Sequence, residues 1–247
     1  MKIAIISDIH GNMQALNAVL EDIKKENCAN IFCLGDLAMA GPEPIEAIKI
    51  IKKLHDEGTL ELIQGNTDEM IGNYSPIVNE KVSSAFPIMA AALENDAQII
   101  PTELKEFLKN LPKQKELEIE GVKVLLVHGS PRKNDENIAP NLPIENIEEM
   151  IEGTDADVIF CGHTHIPCGY QTNKKQTVVN DGSVGRPFTE NPRACYVVAN
   201  FSDGSFDVTH KFIDYDNEKA SEILSKRDFE GAEKLAQILI KPEFRHM

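Results

Sequence analysis

Residues 7–12 of the sequence, Ser-Asp-Ile-His-Gly-Asn, contain two side chains that could bind one metal ion together. Asp8 and His10 are two positions apart, so their side chains leave on the same side if the backbone stays extended. An apolar run over residues 3–6 precedes them, and apolar residues at helical spacing follow them. The stretch is therefore predicted to join a buried strand to a helix and to direct one oxygen and one nitrogen at a metal ion.

Four further apolar runs end in residues that can bind metals, and each of these ends also carries a glycine. They are Asp36 after Gly35, Asn66 after Gly65, His128 before Gly129, and His163 with His165 after Gly162. Because the strand ends of a mainly parallel sheet gather on one edge, we expect all seven donors to lie together. Seven donors exceed the four of a tetrahedral zinc site and suit two ions that share a bridge. Carboxylate, amide and imidazole donors without thiolate favour Mn, Fe, Zn or Ni over Ca or Mg.

Each of these residues has a simpler interpretation when it is taken alone. A Gly-Asp pair is usually a turn, and an asparagine near a strand end more often caps a helix. The simple interpretations do not explain why five strand ends all carry oxygen or nitrogen donors. The other histidines, His55, His210 and His246, lie outside these ends and are predicted to be structural or exposed.

The order of predicted elements indicates an α/β fold. Strands and helices alternate up to Gly65, which favours βαβ units and a parallel sheet that resumes at residues 122–127. Between them, residues 69 to about 115 are predicted to be a helical insertion, with helices over 82–93 and 104–111. The insertion either packs beside the site or is a spacer. Residues 194–212 predict a hairpin that starts a second sheet, and residues 218–240 predict two short helices. The whole chain, 1–247, is predicted to be one domain.

Composition narrows the classes of partner and location. The chain has 247 residues and a formal net charge of −15, which argues against extended nucleic-acid binding and against an anionic membrane surface. We find no stretch near the ~18 apolar residues that a membrane span needs. The N-terminal apolar run is predicted to be a core strand and not a signal peptide. Five cysteines without a close CxxC pair favour reduced thiols in a cytoplasmic protein, and a homo-oligomer remains open.

Taken in order, the motifs resemble those of one known family. Asp8-x-His10, Gly35-Asp36, Gly65-Asn66-x-Asp68, His128-Gly129 and Gly162-His163-x-His165 closely resemble the motif set of the calcineurin-like metallophosphoesterases, in particular the small bacterial and archaeal phosphodiesterase branch. The resemblance covers the chain from residue 1 to about 212. It implies a four-layer αββα sandwich with two mixed β-sheets and a two-metal centre. In that centre Asp8, His10 and His165 would hold one ion, Asn66, His128 and His163 would hold the other, and Asp36 would bridge them.

The resemblance also implies a mechanism, from which this sequence departs at one position. Two ions would activate a hydroxide that attacks phosphorus, with Asp36 and Asn66 at the reacting centre. Many relatives have a histidine after this asparagine that stabilises or protonates the leaving group, and here that residue is Thr67. A threonine hydroxyl donates a hydrogen bond but is no acid near pH 7, so substrates with good leaving groups are expected. Asp68 would orient a ligand.

Three further positions beside the motifs carry charged or polar side chains. Asn12 either touches the phosphate or caps the first helix, and the cap is the commoner role. Arg186 either reaches the phosphate or forms a salt bridge, and Arg132 and Lys133 leave the same two alternatives open.

The leading hypothesis is a metal-dependent phosphoester hydrolase, either a phosphodiesterase or a small-molecule phosphatase, with a small phosphoester as its partner. A protein or dinucleoside-polyphosphate phosphatase would share the same centre and differ in the shape of its pocket. A binding scaffold that keeps the fold without chemistry is the alternative from another class. The complete set of seven donors argues against the scaffold.

Overall fold

The first three strands of the chain form a parallel unit with helices between them. These strands are β1 (Lys2–Ile6), β2 (Asn30–Cys33) and β3 (Leu60–Leu62), joined by α1 (Met13–Lys25) and α2 (Pro44–Asp56). The structure is a computed structural model that describes residues 1–242. The strands are buried on both faces, which agrees with their nearly continuous apolar sequence. His246, predicted to be structural or exposed, lies outside the described residues.

A helical segment follows β3, as predicted, but its helices are divided differently. It contains α3 (Asn66–Gly72), α4 (Pro76–Ser83), α5 (Pro87–Ile99) and α6 (Thr102–Lys109). The single helix predicted over residues 82–93 is wrong, because the chain breaks between Ser83 and Pro87. Proline has no N–H group and disfavours a helical conformation in the residue before it, so Phe86 takes φ −138° and Pro87 begins a new helix.

A second sheet begins after the helical segment. Its members are β4 (Gln114–Ile119), β5 (Val122–Val127), β6 (Val158–Cys161), β7 (Cys168–Gln171) and β8 (Thr177–Asn180), with α7 (Ile144–Met150) between β5 and β6. The spatial order is β4-β5-β6-β8-β7, with β5, β6 and β8 parallel and an antiparallel strand at each edge. The prediction that the first sheet resumes at Val122 is therefore wrong. In β4 charged and apolar residues alternate, because one face of this edge strand is exposed.

The last two strands return to the first sheet. β9 (Ala194–Ser202) and β10 (Ser205–Ile213) form the predicted hairpin, but β9 pairs antiparallel with β1, so that Ile3 lies opposite Ala199. The prediction that the hairpin starts a second sheet is wrong, and the first sheet has the order β10-β9-β1-β2-β3. The chain then forms the two predicted short helices, α8 (Asn217–Ser225) and α9 (Ala232–Ile240).

Three apolar clusters join the elements into layers. One lies between the two sheets and includes Ile3, Phe32 and Leu126. A larger one joins the outer face of the first sheet to α1, α2, the helical segment and the C-terminal helices. The third joins the outer face of the second sheet to α7. The predicted mixed α/β sandwich with two mixed sheets is thus confirmed. Within residues 1–242, no helix combines the length and apolar character needed to cross a membrane.

Candidate metal centre

The seven predicted donors lie at strand ends from both sheets, not from one. In the first sheet β1 leads into Asp8 and His10, β2 into Asp36 and β3 into Asn66. In the second sheet β5 leads into His128 and β6 into His163 and His165. The two sheets meet at a direct contact in which the His163 N–H donates to Asp8 Oδ2 at 3.0 Å. A Cβ atom on Gly162 would lie 2.6 Å from the same oxygen, so this position has no room for a side chain.

The backbone at five of the seven donors is left-handed. Asp8, His10, Asp36, His163 and His165 have φ between 46° and 68°. The extended backbone assumed for the Asp8–His10 pair is therefore wrong, since the chain turns sharply at both residues. Backbone hydrogen bonds hold these turns, including those from Asp8 to Gly35 and from His10 to Asp36, both 3.0 Å long. Left-handed conformations of non-glycine residues cost energy and are concentrated at functional sites.

The first cluster of ligand atoms contains Asp8, His10 and His165. Asp8 Oδ1 lies 3.8 Å from His10 Nε2 and 3.2 Å from His165 Nε2, and the two Nε2 atoms are 3.1 Å apart. His10 Nδ1 lies 3.0 Å from the carbonyl oxygen of Met39, and His165 Nδ1 lies 2.6 Å from the carbonyl oxygen of Arg186. Because a carbonyl only accepts, neutral rings carry their protons on Nδ1, and the two Nε2 lone pairs then face each other.

The second cluster contains Asn66, His128 and His163, with Asp36 between the two clusters. Asn66 Oδ1 lies 3.0 Å from His128 Nε2 and 2.8 Å from His163 Nδ1. Asp36 places Oδ1 at 3.4 Å from His128 Nε2 and Oδ2 at 3.7 Å from His10 Nε2 of the first cluster. His128 Nδ1 contacts the carbonyl of Leu34 at 2.8 Å, which directs Nε2 towards the cluster.

The charges and unpaired atoms at the centre fit bound cations. Asp8 Oδ1 is fully buried and has no hydrogen-bond partner among residues 1–242, although an orphaned carboxylate oxygen is costly in a protein interior. Burial opposes its ionisation, but His165 and the other histidines hold the pKa of Asp8 below its usual range. Burial followed by the neighbouring His165 lowers the pKa of His10 to about 4, which favours a neutral ring that can bind metal.

The negative charge of Asp36 and the positive charge of a protonated His128 compensate each other within the same centre. Burial alone would lower the pKa of His128, but the Asp36 carboxylate, helped by Asp8 and the Leu34 carbonyl, outweighs burial and raises this pKa to about 10. The centre thus attracts positive charge at the position between Asp36, Asp8 and His128, whose ligand atoms all lie within 4.8 Å of one another. A divalent ion can supply that charge, and this mixed donor set is typical of Mn, Fe or Zn.

Asp68 and Thr67 support the turn at Asp36. The Asp68 carboxylate accepts hydrogen bonds from the N–H groups of Asp36, Leu37 and Gly65, at 2.8, 3.0 and 3.0 Å. Burial, followed by the charge of Asp36, raises the pKa of Asp68 to about 7. The Thr67 N–H donates to Asp36 Oδ1 at 2.8 Å, and the Thr67 hydroxyl donates to the carbonyl of Ala38 at 3.0 Å.

The predicted substrate-binding residues have different positions. Asn12 is fully buried and caps α1 by accepting from the N–H of Ala15, while its amide donates to the carbonyl of Gly185. The structure therefore shows the helix cap, the commoner of the two roles considered for Asn12. Arg186 lines the cavity over the centre, and its Nη1 lies 3.5 Å from the sulfur of Met89.

The two basic residues after His128 form salt bridges. Arg132 pairs with Glu136 and Glu149 at 2.8 and 3.0 Å, and Lys133 pairs with Asp135 at 3.0 Å. These contacts agree with the salt-bridge alternative for both residues.

Two supporting residues were missed in the sequence. Ser7 Oγ lies 2.6 Å from Asp8 Oδ2 and 2.7 Å from Asp181 Oδ1, and all three side chains are buried. Burial, followed by the charge of Asp8, raises the pKa of Asp181 well above its usual range. A protonated Asp181 can donate to Ser7, which leaves the Ser7 proton for Asp8. The available signal was the glycine-rich end of the strand before Asp181, which resembles the other donor-bearing ends.

A cavity of about 700 Å³ opens directly over the centre. His10, Asp36, Asn66, His163 and His165 contribute to its floor, and residues of α4 and α5 form part of its wall. A volume of this size suits a small organic molecule. The helical segment therefore packs beside the site, which was one of the two alternatives for it.

Comparisons with known proteins agree with this geometry. The family model of the calcineurin-like phosphoesterase superfamily domain matches residues 1–204. An uncharacterised protein of Methanocaldococcus jannaschii is 32% identical over 238 residues, which cover 91% of this chain and 92% of that protein. The crystal structure of a hypothetical protein from Pyrococcus horikoshii has a TM-score of 0.84 at 23% identity and covers 96% of this chain and 97% of its own.

The crystal structure of a metallophosphoesterase from Sphaerobacter thermophilus has a TM-score of 0.76 at 24% identity, with 98% of this chain and 99% of its own covered. At these identities the two crystal structures show a shared fold. The family model and the Methanocaldococcus relative extend the likeness to the sequence over most of the chain. The chain therefore belongs to the calcineurin-like phosphoesterase superfamily.

Proposed function

We propose that this protein hydrolyses small phosphoesters with two divalent transition-metal ions, Mn, Fe, Zn or Ni. The observation that carries the proposal is the pair of ligand clusters with Asp36 between them on the floor of an open cavity. Asp8, His10 and His165 would hold one ion, Asn66, His128 and His163 would hold the other, and Asp36 would contact both. When bound, two such ions supply Lewis acidity that makes water a stronger nucleophile and offsets charge on phosphoryl oxygens.

The chain's own residues would keep this centre assembled. The backbone carbonyls of Met39, Leu34 and Arg186 hold three imidazoles through Nδ1 and leave their Nε2 atoms for the ions. Asp8 and Asp36 reduce the net positive charge of the centre, whereas the neutral Asn66 does not. Asp68 would act as a positioning residue, since it binds three N–H groups around the Asp36 turn.

The overall reaction replaces the ester oxygen on phosphorus with the oxygen of water. The bond between phosphorus and the ester oxygen breaks, and the alcohol leaves with one proton. The Thr67 hydroxyl already donates to Ala38 and is too weak an acid to supply that proton, so good leaving groups should react fastest. Arg186 and Lys81 line the cavity and would attract the phosphate against the net charge of −15.

The net charge of −15 supports a small phosphoester as the substrate rather than an extended nucleic acid. The five cysteines form no disulfide, which supports a cytoplasmic location. We propose that residues 1–247 act as one domain, in which the helical segment is part of the substrate cavity. A protein phosphatase would need a more open surface than a cavity walled by α4 and α5. A scaffold without chemistry would not need seven converging donors.

The test combines metal analysis with hydrolysis assays on bis-nitrophenyl and mono-nitrophenyl phosphate with added Mn. We expect up to two ions per chain and Mn-dependent hydrolysis of at least one ester. Asp36→Asn should lower kcat by more than about 100-fold, whereas the exposed Asp214→Asn, with the same change in charge, should retain it. Equal residual activity in wild type and Asp36→Asn, with no metal in either, would overturn the proposal.

A further inference from the structure

One wall of the cavity over the metal centre is apolar, and the helical segment supplies it. Val82 near the end of α4, Ala85 and Phe86 in the connection, and Met89 on α5 all line the cavity together with Met70 of α3. None of these side chains carries an N–H or O–H donor or an oxygen acceptor. The wall therefore offers no strong hydrogen bonds to the hydroxyl groups of a sugar or to the edges of a base.

The exposure of this wall is unusual for its composition. Phe86 is 61% exposed, and Val82 and Met89 are only half-buried. The break before Pro87 accounts for this exposure, because it places Phe86 in the short connection ahead of α5 rather than inside a helix. An exposed apolar patch that adjoins a reactive centre is typical of a ligand-binding surface.

The rest of the cavity differs in chemistry. Its floor consists of the metal donors, and charged or polar side chains complete the lining, namely Lys81, Asp135, Asn137, Thr164 and Arg186. A phosphoester has the same two-part character, with a charged phosphoryl group and an organic substituent. When the phosphoryl group lies on the floor, the apolar wall is the surface left for an organic group without hydroxyls.

We propose that this wall, formed by Val82, Ala85, Phe86 and Met89, is the binding subsite for the organic group of the substrate. The preferred substrates are phosphoesters of apolar alcohols, with aromatic rings favoured because Phe86 and Met89 pack well against a ring. The proposal rests on the proposed hydrolysis and adds the class of alcohol. It makes Phe86 and Met89 specificity-determining residues.

A binding experiment tests the subsite without any reaction. Methylphosphonate and phenylphosphonate share the charged group but resist hydrolysis, and their affinities for the Mn-loaded protein can be measured by calorimetry. We expect phenylphosphonate to bind about tenfold more tightly or better. The double variant F86A/M89A should lose this preference and keep its affinity for methylphosphonate. Ile77→Ala is the matched control, because Ile77 is a 67% exposed apolar residue on the same α4.

A parallel kinetic experiment uses phenyl and naphthyl phosphate, whose alcohols have similar acidity and differ in apolar area. Wild type should favour the naphthyl ester in kcat/KM, and F86A/M89A should bring the ratio close to one. Val82→Thr keeps the shape of the side chain and adds a hydroxyl, so it should weaken the preference in a folded protein.

The two experiments separate the subsite from the hydrolysis. The same ester ratio and the same phosphonate preference in wild type and F86A/M89A would overturn the subsite while hydrolysis stands. If no ester is hydrolysed although Mn is bound, the proposed hydrolysis fails. A phenylphosphonate preference that F86A/M89A abolishes would then still support the subsite.

Discussion

Thr67 is the residue at which this chain departs most from expectation. Its hydroxyl is committed to the Ala38 carbonyl at 3.0 Å, and its N–H to Asp36 at 2.8 Å. The backbone contact survives any substitution except proline, whereas the hydroxyl contact needs a side chain with a hydroxyl. Thr67 therefore supports the turn that carries Asp36, and its hydroxyl proton is already donated to the Ala38 carbonyl.

We expect Thr67→Val to change kcat/KM on nitrophenyl phosphate by less than about fivefold, because valine keeps the shape and loses one hydrogen bond worth about 1 kcal/mol. In both proteins kcat/KM should fall as the leaving alcohol becomes less acidic. The measurement is a series of phenyl esters of similar size. Equal rates on alkyl and nitrophenyl esters, with chemistry limiting turnover, would contradict this account of Thr67.

Ser7 joins Asp8 to a second buried carboxyl group. Within the part of the chain that the structure describes, removing this hydroxyl in Ser7→Ala leaves Asp8 Oδ2 with only the His163 N–H, so the ligand is held less firmly. We expect affinity for Mn to fall about 10–100-fold, as for other residues that orient metal ligands. Competition with a metal chelator measures the affinity for Mn. Ser205→Ala, which removes an exposed hydroxyl from β10, should bind Mn like wild type. Unchanged affinity in Ser7→Ala would show that Ser7 plays no part in metal binding.

At the scale of elements, a buried ion pair ties the helical segment to the loop beside His10. Asp96 on α5 is fully buried and contacts Arg227, which follows α8, at 2.6 Å. Arg227 also donates to the carbonyl of Gly41 at 2.8 Å. Ala38 and Met39 of the same loop provide the carbonyls that hold His10 and Thr67. Burial raises the pKa of Asp96, and Arg227 opposes that rise.

We expect Arg227→Met to lower the free energy of unfolding by about 3–5 kcal/mol, because it leaves Asp96 buried without its partner. Urea denaturation measures the loss. The double variant D96L/R227M, which removes both charges, should recover most of it. In contrast, Lys52→Met breaks an exposed pair with Asp56 and should cost less than about 1 kcal/mol. A loss for Arg227→Met as small as that for Lys52→Met would show that the pair does not stabilise this loop.

The elements also show what a sequence can and cannot predict. The donors were predictable, because each follows a local pattern of an apolar run, a glycine and a polar residue. The break at Pro87 was local too and could have been predicted from the proline. The division into sheets was not local, because β9 pairs with β1 residues that lie more than 190 positions earlier in the chain, such as Ile3 opposite Ala199. The alternation of charged and apolar residues in β4 also conceals its pairing. The link from Ser7 to Asp181 likewise depends on packing between distant segments.

For the whole molecule, the centre concentrates buried charge where the two sheets meet. Asp8, Asp36 and four histidines converge there, and within residues 1–242 the Asp8 Oδ1 oxygen has no hydrogen-bond partner. An ion that binds the native state and not the unfolded state must stabilise the native state by mass action. Metal content should therefore affect stability as well as activity.

We expect Mn at 100 times its dissociation constant to stabilise the chelator-treated protein by about 2.7 kcal/mol, a shift in Tm of about 5–11 °C for a chain of this length. Thermal denaturation with and without Mn measures the shift. Asp36→Asn should reduce the shift, and Asp214→Asn should not. If wild type binds Mn and its Tm does not change, the assumption that Mn binds only the native state would be contradicted.

The left-handed backbone at five donors imposes a requirement that is separate from metal binding. A backbone φ between 46° and 68° is adopted most easily by glycine, asparagine and aspartate. A descendant that lost its chemistry would therefore keep the shape of the turns after it lost the ligands. At His10, His163 and His165 such a protein should accumulate glycine and asparagine in preference to alanine or valine. That pattern would distinguish a former enzyme that survives as a scaffold from a chain in which these turns have unfolded.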